Sequence, residues 1–122
     1  MDTSFDNLSK IFITQTELGI GWADSDGNVK YLNSALTRML ELENPEDAYE
    51  KSVFHFYDKE TTSKLEDAIL AAVMSEGSWT GELILRPKKS EPYPTINHLF
   101  AMKDNHGKLF SFGNVVLPKL QI

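Results

Sequence analysis

No cysteine occurs in the 122 residues. That absence removes disulfides, thiolate nucleophiles and cysteine-ligated metals together. Positive charge is scarce too: 12 lysines and arginines stand against 18 acids, for a net charge of −6 and a pI near 5.0. A nucleic-acid binder carries a basic stripe to neutralise phosphates. The only adjacent basic pair here is Lys88-Lys89, which reads as a solvated turn, so direct binding of DNA or RNA is not expected. No apolar run approaches the roughly 20 residues of a membrane span. No basic n-region followed by an apolar h-region opens the chain, and a cytoplasmic location is the default expectation. Phosphate loops and dinucleotide fingerprints are missing as well. The three histidines, His55, His98 and His106, lie far apart without a His-x-x-x-His spacing, which argues against a transition-metal site.

What is present fits one globular domain. Hydrophobic content is 41% and charged content 25%, both ordinary for a chain with a real core. Gly19 to Asn33 organises the rest. Ile20 and Trp22 share one strand face, and Val29 and Tyr31 share one face of a returning strand, by period-two alternation. Asp26-Gly27 between them is a hairpin signal, because the turn needs positive φ. Asn33 is a good N-cap for a helix carrying Leu36, Met39 and Leu40. Upstream, Phe5, Leu8, Ile11 and Phe12 form the apolar stripe of an N-terminal helix.

Downstream, Asn44-Pro45-Glu46-Asp47 marks a short helix start. Asp58 caps the longest helix, on which Leu65, Ile69 and Val73 recur every four residues, and Gly77 stops it. The last third alternates. Trp79, Leu83 and Leu85 share a face, as do Ile96, His98, Phe100 and Met102. Leu109 to Leu117 reads as a strand buried on both sides. The order of helix, two strands, several helices and three strands predicts an α+β fold: one five-stranded antiparallel sheet with helices on one face. The expected divisions are a tail and flanking helix at 1–18, the domain at 19–117 and a tail at 118–122.

These stretches resemble a PAS domain. Asp24-Ser25-Asp26-Gly27 and Asn33-Ser34-Ala35 fit its Asp-x-x-Gly and Asn-x-Ala patterns. Val53 to Leu70 resembles the segment joining its short helices to its long one. Gly77-x-Trp79-x-Gly81-Glu82 and Asp104-x-x-Gly107 look like its later strand opening and last turn. Ala48-Tyr49-Glu50-Lys51 lacks the common glycine, Pro87 to Pro92 is rich in proline and lysine, and Leu117-Pro118-Lys119 replaces the usual Asp-Ile-Thr.

The resemblance implies a non-catalytic sensory or relay module attached to an output domain such as a kinase, cyclase or transcription regulator. It also implies a cavity between the concave sheet face and the helices, able to hold a small ligand of unknown identity. Trp22, Met39, Phe56, Leu65, Ile69, His98 and Phe100 would line it, with Asn114 as a polar contact. Side chains of this size favour a filled core over an open cavity, and His98 reads first as a core-edge histidine with one hydrogen bond. Homodimerisation through Phe5, Leu8, Ile11 and Phe12, lying across the open sheet face, is the expected assembly. A ligand-free dimerisation module is the competing class. A haem sensor is a further alternative, with His55 as the one histidine near the long helix. Flavin-adduct and coumaryl chemistries both need a cysteine, so the composition excludes them.

Overall fold

The computed structural model describes residues 2–118. Helix α1 (Phe5–Gln15) leads into β1 (Gly19–Asp24), β2 (Val29–Leu32) and α2 (Ser34–Met39). Two 3₁₀ turns follow, Pro45–Ala48 and Val53–Phe56. Next come α3 (Lys59–Lys64), a π-helical turn at Leu65–Ile69 and α4 (Leu70–Glu76). Strands β3 (Ser78–Leu85), β4 (Tyr93–Lys103) and β5 (Leu109–Pro118) end the described chain. All pairings are antiparallel in the order β2-β1-β5-β4-β3, so the α+β expectation holds. β5 runs through Pro118, which pairs with Thr95, one residue past the expected end of the domain. The rest of the expected tail, 119–122, lies outside the described residues.

Local chemistry sets the ends of these elements. Asp24 Oδ1 accepts from the N–H groups of Asp26 and Asn28, so the β1–β2 loop holds four residues, Ser25 to Asn28, rather than two. Asp104 repeats this with His106 and Lys108. Gly27 sits at φ 85°, where a β-branched residue is strained. Gly27→Val is therefore expected to cost on the order of 1 kcal/mol or more; an unchanged melting temperature would remove the turn's claim on glycine. Ser4 caps α1, Asp58 caps α3 through the Thr61 N–H at 2.8 Å, and Gly77 ends α4 at φ 93°.

Asn33 does more than cap α2. Its Oδ1 accepts from Leu36 N at 3.0 Å and Ile20 N at 2.9 Å. Its Nδ2 donates to Ile13 O and Leu18 O at 2.8 and 3.0 Å. One amide thus ties α1, the α1–β1 link, β1 and α2 together at 1% exposure.

Two strand registers differ from the alternation reading. On β1 the inward residues are Gly19, Gly21 and Ala23, while Trp22 is 36% exposed. The cause is the close approach of α2: a Cβ on Gly21 would lie 2.9 Å from Tyr31 O and 3.1 Å from a Leu36 methyl. Bulk cannot fit there, so the indole turns out and stacks on Tyr31 with centroids 4.3 Å apart. Tyr31 reaches that face because the ladder jumps from Tyr31 to Val29. This bulge at Lys30 leaves Val29 inside and separates two residues expected to share a face.

On β4, Thr95, Asn97, Leu99 and Ala101 face inward. Ile96, His98 and Phe100 lie on the open face, and Leu99, expected there, does not. Polarity was the wrong guide, because Thr95 and Asn97 are completely buried yet bond each other, Nδ2 to Oγ1, at 2.8 Å.

The core gathers Leu36, Leu40, Phe56, Leu65, Val73, Leu83 and Val116 between the sheet and its helical cover. α1 stands apart from it. It has no buried residue and packs against α2 rather than across the open sheet face, with Phe5 at 85% and Phe12 at 64% exposure.

Candidate functional site

The inner face does not fill completely. A cavity of about 300 Å³ remains between β1, β5, Leu99 of β4, the Val53–Phe56 turn and the long helix. Leu65, Leu70, Val73, Leu99 and Phe112 supply much of its apolar wall. The π-helical turn shapes that wall, since its extra residue changes the helical phase. Leu65 and Ile69 stay in the core, and Leu70 reaches the cavity. The exposed Ser25 and Asp26 mark its opening to solvent. Among the described residues its border carries no lysine, arginine or histidine, and Asp26 at the rim is its one carboxylate.

A hydrogen-bonded chain runs to the cavity's polar corner. Leu83 O can only accept, so the Thr95 hydroxyl donates to it at 2.8 Å. Thr95 Oγ1 then accepts from Asn97 Nδ2, which turns Asn97 Oδ1 toward Tyr57 and Asn114. The Tyr57 hydroxyl donates to that oxygen at 3.0 Å, and Asn114 Nδ2 donates to the Tyr57 hydroxyl at 2.8 Å and to Asn97 Oδ1 at 3.0 Å. Each donor direction follows from the carbonyl at the far end. Asn114 Oδ1 is left over: it is buried and, among the described residues, has no donor.

Burial pushes the Tyr57 hydroxyl far above the ordinary tyrosine range, only partly offset by the bond from Asn114. The phenol stays neutral in the folded chain, whereas an unfolded tyrosine ionises near pH 10. The folded state then holds more protons above that pH, so stability falls as pH rises through about 10 and upward. Tyr57→Phe is expected to cost about 1–2 kcal/mol near neutrality and to flatten this alkaline loss. Urea melts of both forms at neutral and alkaline pH provide the check.

Of the residues expected at such a site, Leu65 and Asn114 line the cavity, and Trp22 borders it while its indole lies on the opposite face. Five do not line it. Met39 abuts Gly19 under α2, Phe56 is buried on the far side of its turn, and Ile69 packs in the core. His98 is exposed, with Nδ1 2.7 Å from Thr80 Oγ1. Phe100 lies beside it, rings 5.6 Å apart, and covers Gly113 on the outer face. His55 also lies outside the cavity, exposed in a second cleft. Tyr57, Leu70, Leu99 and Phe112 were missed. One signal was available: Asn97 and Asn114 are poor strand formers inside strand sequences, which points to a polar role on a buried face.

The PAS domain family model matches residues 18–116, spanning the whole sheet and the cavity. The chain belongs to the PAS domain family. No curated protein sequence matches it. Among solved structures, the PAS domain of a protein from Colwellia psychrerythraea superposes with a TM-score of 0.88 at 14% identity, covering 95% of this chain and 98% of that one. A PAS domain from a two-component sensor histidine kinase gives 0.77 at 12% identity, covering 93% and 96%. An RNA-binding light-oxygen-voltage receptor gives 0.78 at 13% identity, covering 93% of this chain and 33% of that longer one. At these identities the likeness is one of fold. PAS domains are generally sensory, non-catalytic modules. In this PAS domain no helix among the described residues is long and apolar enough to cross a membrane. Nor do three metal-ligating side chains cluster among those residues.

Proposed function

We propose that this PAS domain is a non-catalytic sensor that takes a small, uncharged, largely apolar molecule into its inner cavity and relays occupancy to an attached output domain. The observation that carries the reading is the cavity of about 300 Å³ beside a buried polar network with one acceptor unpaired. An unpaired buried acceptor costs roughly 1–3 kcal/mol, so a ligand N–H or O–H that reaches Asn114 Oδ1 gains that bond as well as apolar contact. The absence of cationic side chains around the cavity favours a neutral molecule over an anion.

Native mass spectrometry of the purified protein tests this. A small mass released on denaturation, and reduced in Leu99→Phe, is the expected result. No released mass, together with no thermal shift from neutral aromatic and acyl fragments, would overturn it. A second reading, pairing of two copies without a ligand, is favoured by the bare apolar stripe of α1 and is compatible with sensing. The haem alternative loses its support, because its one candidate histidine, His55, is outside the cavity.

A further inference from the structure

A second cleft, of about 360 Å³, lies between the end of α2, the 3₁₀ turns and the end of β3. It shares no residue with the inner cavity. Its rim holds Lys51, His55, Arg86 and Lys88, and among the described residues Asp47 is its one acid. This is an unusual gathering in a chain of net charge −6. Among the described residues, no carboxylate pairs with Lys51, Arg86 or Lys88. Asp47 is engaged by the Asn44 N–H at 3.3 Å. The nearby Glu41 carboxylate is taken by the N–H groups of Lys89 and Ser90 and by the Ser90 hydroxyl.

The cleft is also braced. Arg86 donates through Nε and Nη2 to His55 O at 3.2 and 2.6 Å, and its own N–H bonds Phe56 O at 2.8 Å. The guanidinium is thereby held at the rim by a backbone carbonyl, which satisfies donors without cancelling the charge. Half-buried Leu42 contributes apolar surface, with the buried Leu40 and Phe56 forming the floor.

We propose that this cleft binds a small organic anion, a carboxylate or phosphate group carried on an apolar body. The anion sits among Lys51, Arg86 and Lys88, and the body lies against Leu42, over the floor formed by Leu40 and Phe56. Three cations stand there against one carboxylate, Asp47, with which none of them pairs among the described residues, and an anion relieves their mutual repulsion. His55 reports the same field: partial burial, then the charges of Arg86 and Lys51, hold its imidazole below the ordinary histidine range. Asp47 and Lys88 are the other charged groups on the cleft. The turn Val53–Phe56 borders both sites, with Val53 and Phe54 on the cavity and His55 and Phe56 on the cleft.

Proton NMR of the three histidine rings tests the proposal, using phenyl phosphate, benzoate and neutral benzyl alcohol as probes. Phenyl phosphate or benzoate should shift the His55 ring saturably, with Kd at or below about 10 mM, and raise its pKa. His106 should stay still and benzyl alcohol should have no effect on His55. Response to one anion alone assigns phosphate or carboxylate as the preferred group. Lys51→Gln with Lys88→Gln, both at exposed positions, should weaken binding about tenfold or more without changing the melting temperature. No saturable His55 shift with either anion, an equal shift with benzyl alcohol, or unchanged affinity in the double variant would overturn it.

Discussion

Asn33→Ala is expected to cost roughly 3–5 kcal/mol. The substitution strands four groups at once: the N–H of Ile20 and Leu36, and the carbonyls of Ile13 and Leu18. The site is 1% exposed, so water cannot replace the lost partners without opening the structure. For a domain of this size the melting temperature should fall by roughly 10–20 °C, a large share of a stability that is typically about 5–15 kcal/mol. Ser4→Ala is the matched control: the same kind of cap, but exposed on α1, expected to cost less than about 1 kcal/mol. A melting curve for Asn33→Ala that overlays that of Ser4→Ala would show that the amide is not a hub.

Phe5→Glu combined with Phe12→Glu is expected to turn a homodimer into a monomer. In one copy Phe5, Leu8, Ile11 and Phe12 are 85%, 46%, 40% and 64% exposed, an apolar stripe that nothing among the described residues covers. The surface still exposed on these four residues amounts to little more than two full side chains, so burying it offers roughly 3–7 kcal/mol per copy, against about 4–15 kcal/mol for lost freedom on association. Two stripes pairing would together offset much or all of that cost, so a dimer at micromolar concentration is the expected state. Exposed Trp22 and Leu117 extend the apolar surface elsewhere on the molecule. Because the substituted residues are exposed, the monomer's own melt should barely move. Sedimentation settles the matter. A wild-type chain of 13.8 kDa that stays monomeric at about 100 μM, or a double variant that keeps the dimer mass, would end the proposal.

Much of the fold was legible because it rests on local chemistry. Asp24 and Asp104 fold their loops with their own side chains, Gly27 and Gly77 accept positive φ, and Asn33 and Asp58 cap helices three residues on. Glu41 was not legible. It anchors the backbone of Lys89 and Ser90, nearly fifty residues away, which no local pattern announces. Its φ of 59° is a strain that no composition reveals.

The site divides along the same line. By itself the sequence determined the order of elements, the antiparallel sheet, the turns and the absence of thiol chemistry, since each depends on residues a few positions apart. Which face of β1 and β4 turns inward was decided only by tertiary structure. Alternation states that His98 and Phe100 share a face, but it does not state which one. That choice came from α2 pressing so close to β1 that glycine and alanine must face it. It came also from Tyr57 and Asn114, forty and seventeen residues from Asn97, bonding an amide that polarity alone would have left in water. Packing distance and long-range hydrogen bonding belong to the assembled chain, so the cavity's walls became readable only once the strands had been laid against their cover.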